Sequence, residues 1–337
     1  MPPDLRVSLA ALELRNPLIC GSGEHVATLE DLLAAVDAGA GAVVAKSANE
    51  TEAGRRQWEV AARTFIDADR REVAPDAAAT IFNRSGLVPQ PWPEWLVTLA
   101  RADAHAREAG AFVAASVIPG NERQLPGLAA DVERAGLRWL ELNLSAPHAG
   151  EAEPGVIETP SEPIRAAVLT AAVRAATSLP LTVKLPAEGA DVVALARAVR
   201  DAGADAIVLT GRQLGFMPDL DTRRPLLGTF GGTSGPWSLP IALRWVAKTR
   251  LALGPEVPLV GTNGARDGGD LARFMLAGAR AVQVATAVIV EGFGAIGRML
   301  AELSAYLEDQ GADARDIVGE AADAAVSYEE AAVRSSQ

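Results

Sequence analysis

Five times along this chain a helical stretch ends at a glycine and runs directly into an aliphatic segment: VDAGAGAVV at 36–44, REAGAFVAA at 107–115, ERAGLRWLEL at 133–142, RDAGADAIVL at 200–209 and MLAGARAVQV at 275–284. Glycine just past a helix accepts the left-handed backbone that closes the last turn, and the aliphatic run after it suits a strand buried on both faces. Apolar segments near 17–21, 180–185 and 257–261 raise the strand count to eight, nearly all separated by helical patterns. Eight alternations of strand and helix imply parallel strands with crossover helices, and closing them gives an α/β fold of the (β/α)8 TIM barrel type. An open doubly wound sheet is the alternative. It lacks support, because GSGEHV at 21–26 has two glycines of the dinucleotide fingerprint and no third.

A length of 337 residues accommodates two average domains or one such barrel. The pattern predicts a single barrel over 1–311 and a helical tail over 312–337, Ala-rich and acidic, packed outside or frayed. Three connections after strands, roughly 47–80, 144–160 and 210–237, are too long for turns. Loops at the C-terminal ends of barrel strands build active sites, so these insertions are where substrate recognition is expected.

With 49% hydrophobic residues the chain can bury a large core, and its formal charge of −12 comes without a basic stripe. Nucleic acid and anionic membranes are therefore excluded as expected partners. A single cysteine, Cys20, offers no disulfide or metal cluster, and the opening MPPDLRVSLAALEL carries no basic and apolar export pattern. A cytoplasmic protein with no bound metal is expected.

Only three of the 31 basic side chains are lysines. Lys248 falls in the helical stretch PIALRWVAKTR and reads as surface. Lys46 and Lys184 stand in GAVVAKS and LPLTVKL, apolar runs where burying an amine is costly without an anionic or polar partner, and read as functional. Late in the chain, GTNGARDGG at 261–269 and VATAVIVEG at 284–292 each follow a strand and precede a helix. Backbone amides in such loops point at phosphates, and barrel phosphate sites commonly follow strands seven and eight. The alternative is that Gly261, Gly264 and Gly268 only make turns.

Taken together, NPLICGSG, GAGAVVAKS, NRSGL, ELNLSAPH, LTVKLP, FGGTSGP and VGTNGA with QVATA, in that order over residues 5–305, make the chain resemble the dihydroorotate dehydrogenase family of flavin-dependent barrels. The resemblance implies one FMN across the barrel mouth, with its phosphate on Gly264, Ala265, Ala285 and Thr286 and its ring against Gly21, Ser22 and Gly23. It also implies flavin contacts from Ser47, Asn143 and Gly232. Lys184 looks like the lysine beside the flavin N1 and O2 edge, where a fixed ammonium stabilises the negative charge of the reduced ring. Lys46 looks like the second family lysine. Asn83 and Asn143 look like substrate-gripping amides, with Gly86 and Leu87 in the same loop as Asn83.

The departures are as informative. Where the family carries a Cys or Ser general base this chain has Ala146, where it has a second asparagine in that loop motif this chain has His148, and the asparagine expected after the sixth strand is Thr210. A methyl group cannot take a proton. The flavin half thus reads as intact and the substrate half as rebuilt, which argues against dihydroorotate as substrate. His148 is the candidate replacement for the base, with an imidazole that exchanges protons near neutral pH. His25 reads as structural beside the flavin loop, His105 as helix surface, Cys20 as packing, and Arg84 as either a carboxylate partner or an exposed side chain.

The resulting expectation is an FMN oxidoreductase moving hydride between flavin N5 and a carbon–carbon bond of a small ring or amide substrate. Lys184 as the Schiff-base lysine of a barrel lyase or aldolase, or a flavin-binding protein without turnover, are the alternatives. Membrane-associated family members carry an N-terminal helical extension, and without that pattern direct reduction of a membrane quinone is not expected. Other members pass electrons to a separate subunit, and such a partner, like a homo-oligomer, is compatible with this sequence.

Overall fold

In a computed structural model, which describes residues 2–146, 160–187, 191–327 and 330, eight parallel strands close into a barrel. They are β1 (Leu18–Cys20), β2 (Ala42–Val44), β3 (Phe112–Val117), β4 (Leu140–Asn143), β5 (Leu181–Lys184), β6 (Ala206–Leu209), β7 (Leu259–Thr262) and β8 (Ala281–Val284). β8 pairs back onto β1 through Gln283 opposite Ile19, and this closure rules out the open-sheet alternative. All eight strands lie where the sequence pattern placed them.

The crossover helices are α1 (Leu29–Asp37), α2 (Trp92–Glu108), α3 (Leu125–Arg134), α4 (Pro163–Arg174), α5 (Val192–Asp201), α6 (Leu239–Leu253) and α7 (Gly268–Leu276), and α8 (Gly294–Gln310) covers β1 and α7. Local chemistry starts them: Thr28, Asp191 and Asp267 accept hydrogen bonds from backbone amides of the first turns of α1, α5 and α7, and Pro93 occupies the first turn of α2. Gly39, Gly203 and Gly278, which follow α1, α5 and α7, have φ of +106°, +104° and +113°, as the recurring phrase requires.

A hairpin of Val7–Leu9 and Leu12–Leu14 buries Val7, Leu9, Leu12 and Leu14 against the barrel core. Residues after α8 join the same core through Ala314 and Ile317, and Arg250 holds Asp323 at 2.7 Å. Among the described residues no helix is long and apolar enough to cross a membrane.

Two of the three long connections are not irregular. They contribute to one antiparallel sheet in the order 213–215, 231–234, 80–84, 62–66, 72–73. Phe65 and Ile81 of this sheet pack against Ile289 and Val290 of the short helix Thr286–Glu291, seating the sheet over the C-terminal mouth of the barrel. Most of the 144–160 connection lies outside the described residues.

Candidate active site

Strand register brings the chemistry together. Lys184 ends β5 directly opposite Asn143 on β4 and Val208 on β6, while Gly232 of the cap sheet stands opposite Asn83. Between mouth and cap lies a cavity of about 1010 Å³, measured to its open rim. Its wall includes the expected Ser22, Gly23, Lys46, Ser47, Asn143, Lys184, Gly264, Ala265, Ala285 and Thr286, together with Asn83, Gly86, Leu87 and Thr210. Gly21 and Gly232 do not line it: Gly21 donates its amide to Val284 at 2.8 Å, and Gly232 belongs to the cap sheet. His148 lies outside the described residues. Ala146, 7% exposed, stands in the wall where the family base is expected.

Two polar systems surround these residues. Beside the cap, Lys46 Nζ donates to Glu24 Oε1 at 3.0 Å and to Ser85 Oγ at 2.9 Å, and Ser85 itself donates to Glu24. Burial opposes the charge on Glu24, but Lys46 and Arg212 outweigh it and hold the carboxyl well below its ordinary range. Burial pulls the Lys46 ammonium down, with Glu24 resisting. Arg212, in the wall just past Thr210, donates to Asn83 Oδ1.

At the cavity floor, Lys184 Nζ donates to Gln283 Oε1 at 2.9 Å, and Gln283 Nε2 donates to Glu141 Oε2 at 2.5 Å. Glu141 is wholly buried inside the barrel, and that burial raises its carboxyl despite the nearby Lys184. Its other oxygen accepts from Ser116 at 3.5 Å; Ser116 and Ser47 hydroxyls lie 2.8 Å apart, and Asn143 Nδ2 donates to Ser47 at 3.2 Å. Asn143 Oδ1 is occupied by the amide and hydroxyl of Ser145, at 2.9 and 2.7 Å. One network therefore links Lys184 to Asn143.

Glycine is obligatory at several close approaches. At Gly23 a Cβ would meet the His25 ring at 2.7 Å, at Gly211 it would meet Ser145 Cβ at 2.5 Å, and at Gly264, with φ +105°, it would meet the Leu239 amide at 2.5 Å. Gly261 and Gly268, by contrast, make room for Phe274 and Leu303 and belong to packing.

The remaining candidates sort by their partners. Cys20 is fully buried, and burial pushes its thiol up to about 12, which disfavours the reactive thiolate. His25 Nε2 lies 3.6 Å from Cys20 Sγ, and burial lowers its imidazole to about 4. His105 bridges to Asp37 at 2.6 Å on the helical exterior. Arg84 braces the cap, donating to Val60 and Leu227 carbonyls at 2.6 and 2.8 Å, so it is not an exposed arginine awaiting a carboxylate.

Residues 72–307 match the family model described as Dihydroorotate dehydrogenase. The chain belongs to the dihydroorotate dehydrogenase family. It is 31% identical to a dihydroorotate dehydrogenase B (NAD(+)), catalytic subunit, of Pyrococcus furiosus over 317 residues, covering 94% of this chain and 98% of that one. It is 35% identical to the protein of the same name from Desulforudis audaxviator over 335 residues, 94% and 96% of the two chains. A third, from Geobacter sulfurreducens, is 42% identical over 182 residues, 53% of this chain and 58% of the relative. As a member of the dihydroorotate dehydrogenase family, this is a flavin-dependent oxidoreductase acting on CH–CH groups. Membership leaves the Schiff-base reading of Lys184 without support.

Sequence reasoning missed Glu24, Ser85, Arg212, Glu141 and Gln283. Glu141 and Gln283 carried the signal that exposed the two lysines, a polar side chain in an apolar strand, in LRWLELNL and ARAVQV. Glu24 opens a short 3-10 turn and Arg212 sits in a loop, places where charged residues are ordinarily solvated.

Proposed function

We propose that the chain is a cytoplasmic FMN-dependent oxidoreductase acting on a carbon–carbon bond of a small ring or amide substrate other than dihydroorotate. The observation that carries this reading is an asymmetry within one cavity: most of the residues expected to hold the cofactor line it together, while the wall presents the Ala146 methyl where a proton acceptor is expected.

The residues present fit FMN. The tight turn at Gly264, where a Cβ would strike Leu239, brings backbone to the cavity wall beside Ala265, Ala285 and Thr286. Gly264, Ala265, Ala285 and Thr286 would hold the phosphate, and Ser22, Gly23, Lys46, Ser47, Asn143 and Lys184 would surround the ring, with Gly21 and Gly232 behind the cavity wall. When bound, FMN supplies hydride chemistry at N5. Lys184, anchored by Gln283, provides fixed positive charge for the reduced state. Asn83, Gly86, Leu87, Asn143, Thr210 and His148 would bind the substrate, and His148 would carry the proton that Ala146 cannot.

The relatives' name, a catalytic subunit paired with NAD(+), supports a separate electron-transfer partner for this chain. We place the barrel at 1–311 and the helical tail at 312–337, with the start of the tail packed on the barrel core through Ala314 and Ile317. Ala146 also favours a second reading, a flavin protein that no longer turns over. Denaturing the purified protein and quantifying the released flavin tests the first reading: one FMN per chain supports it, and colourless protein releasing none defeats it. A bound flavin that no organic donor bleaches, although dithionite does, favours the second reading.

A further inference from the structure

The cations of the cavity differ in how their charge is met. Lys46 is paired with Glu24 at 3.0 Å, and Lys184 is joined to Glu141 through Gln283. Lys184 and Arg212 each touch an amide oxygen, but the amide of Gln283 passes the link on to Glu141, whereas no hydrogen bond among the described residues carries that of Asn83 to a carboxylate. The hydrogen bond of Arg212 goes to the neutral amide oxygen of Asn83, and among the described residues no carboxylate lies within ion-pair distance of it. Glu24 acts on it only from a greater distance and is engaged by Lys46 and Ser85. A guanidinium drawn into a cavity wall with no carboxylate in contact leaves donors that a ligand anion would satisfy. Its planar fork of donors matches a carboxylate better than an ammonium does. Asn83 adds to this: with its oxygen occupied by Arg212, its Nδ2 remains as a donor beside the same place.

We propose that Arg212 is a specificity-determining residue that seats the carboxylate of an organic acid substrate, with Asn83 presented as a donor next to it. This deepens the reading above and rests on it. Arg212 follows β6 and bonds the cap, whereas Gly264 and Thr286 follow β7 and β8, so a cofactor phosphate and a substrate carboxylate have separate seats. Because both are anions, the test must distinguish them.

Crotonate and crotonamide, which differ in charge and little in shape, are titrated calorimetrically into the purified holoenzyme, wild type, Arg212→Gln and Arg212→Lys, with FMN content measured in each. The wild type should bind crotonate at least about 10-fold more tightly than crotonamide. Arg212→Gln should lose roughly that factor for crotonate alone, Arg212→Lys should fall between, and FMN content should be unchanged. If Arg212→Gln fails to fold, the crotonate loss in Arg212→Lys decides. The proposal is overturned if the wild type shows no preference, if both variants keep it, or if they lose FMN, which would make the anion the cofactor phosphate. Wild type purified without FMN overturns the flavin reading instead, and the calorimetric comparison still decides the role of Arg212.

Discussion

Lys46 Nζ lies 3.0 Å from Glu24 Oε1, so the segment after β2 is tied by charge to the loop after β1, and Ser85 extends the tie to the cap at 2.9 Å. Both ions are largely withdrawn from water, with side-chain exposures of 6% for Lys46 and 20% for Glu24. Removing one partner leaves the other buried and uncompensated. Glu24→Gln should therefore destabilise the fold by about 3 kcal/mol at pH 7. The Glu24 carboxyl is depressed in the folded state, so its contribution is complete above the unfolded value near 4.3 and is lost as pH falls toward the folded one. The gap between variant and wild type in denaturant unfolding should narrow between pH 7 and pH 3; a gap independent of pH would show that packing, not charge, is lost.

His25 gives a second pH signature, of a different origin. Burial lowers its folded-state value to about 4, below an unfolded value near 6.5, so the unfolded chain binds more protons between them. Stability is complete above that upper value and falls as pH drops toward the lower. Wild type should lose about 2 kcal/mol more than His25→Gln between pH 7 and pH 4. Parallel profiles for the two proteins would contradict this.

Lys184 should matter more for redox than for folding. Its ammonium is held at the cavity floor by Gln283, backed by Glu141, and in the proposed complex it would stabilise charge that appears on reduction. Lys184→Ala should retain FMN and a thermal midpoint close to wild type, with flavin reduction slowed roughly 10²-fold and a lower midpoint potential. An unchanged potential would remove the lysine from its assigned role.

The parts of the fold that could be read from the chain are those set by local chemistry. A helix-ending glycine and a buried aliphatic run appear within ten residues of each other, so VDAGAGAVV and its four counterparts announced the barrel. The cap sheet depends on pairing between distant residues: Asn83 with Gly232, in a strand of sequence GGTS that has no strand signature of its own. Lys46 and Lys184 were legible because an amine in an apolar run needs a reason. Arg212 and Glu24 became meaningful only once the cap folded Asn83 and Ser85 onto them.

His148 carries the proton in the proposed reaction, since Ala146 cannot. His148→Asn should leave FMN content unchanged and slow flavin reduction by the best organic donor on the order of 10²-fold. The wild-type rate should titrate with one group near neutral pH, and the variant should lose that limb. Retention of both rate and pH dependence would assign the proton to another group.

The most direct test is an anaerobic titration of the yellow, FMN-loaded wild-type protein with dihydroorotate, followed by flavin absorbance. With Ala146 in place of a base, and general base catalysis typically worth about 10²- to 10⁴-fold, bleaching should be absent or slow, and Ala146→Ser should give only a small gain because Thr210 and Arg212 remain in the cavity. Rapid stoichiometric bleaching of the wild type by dihydroorotate would contradict the account.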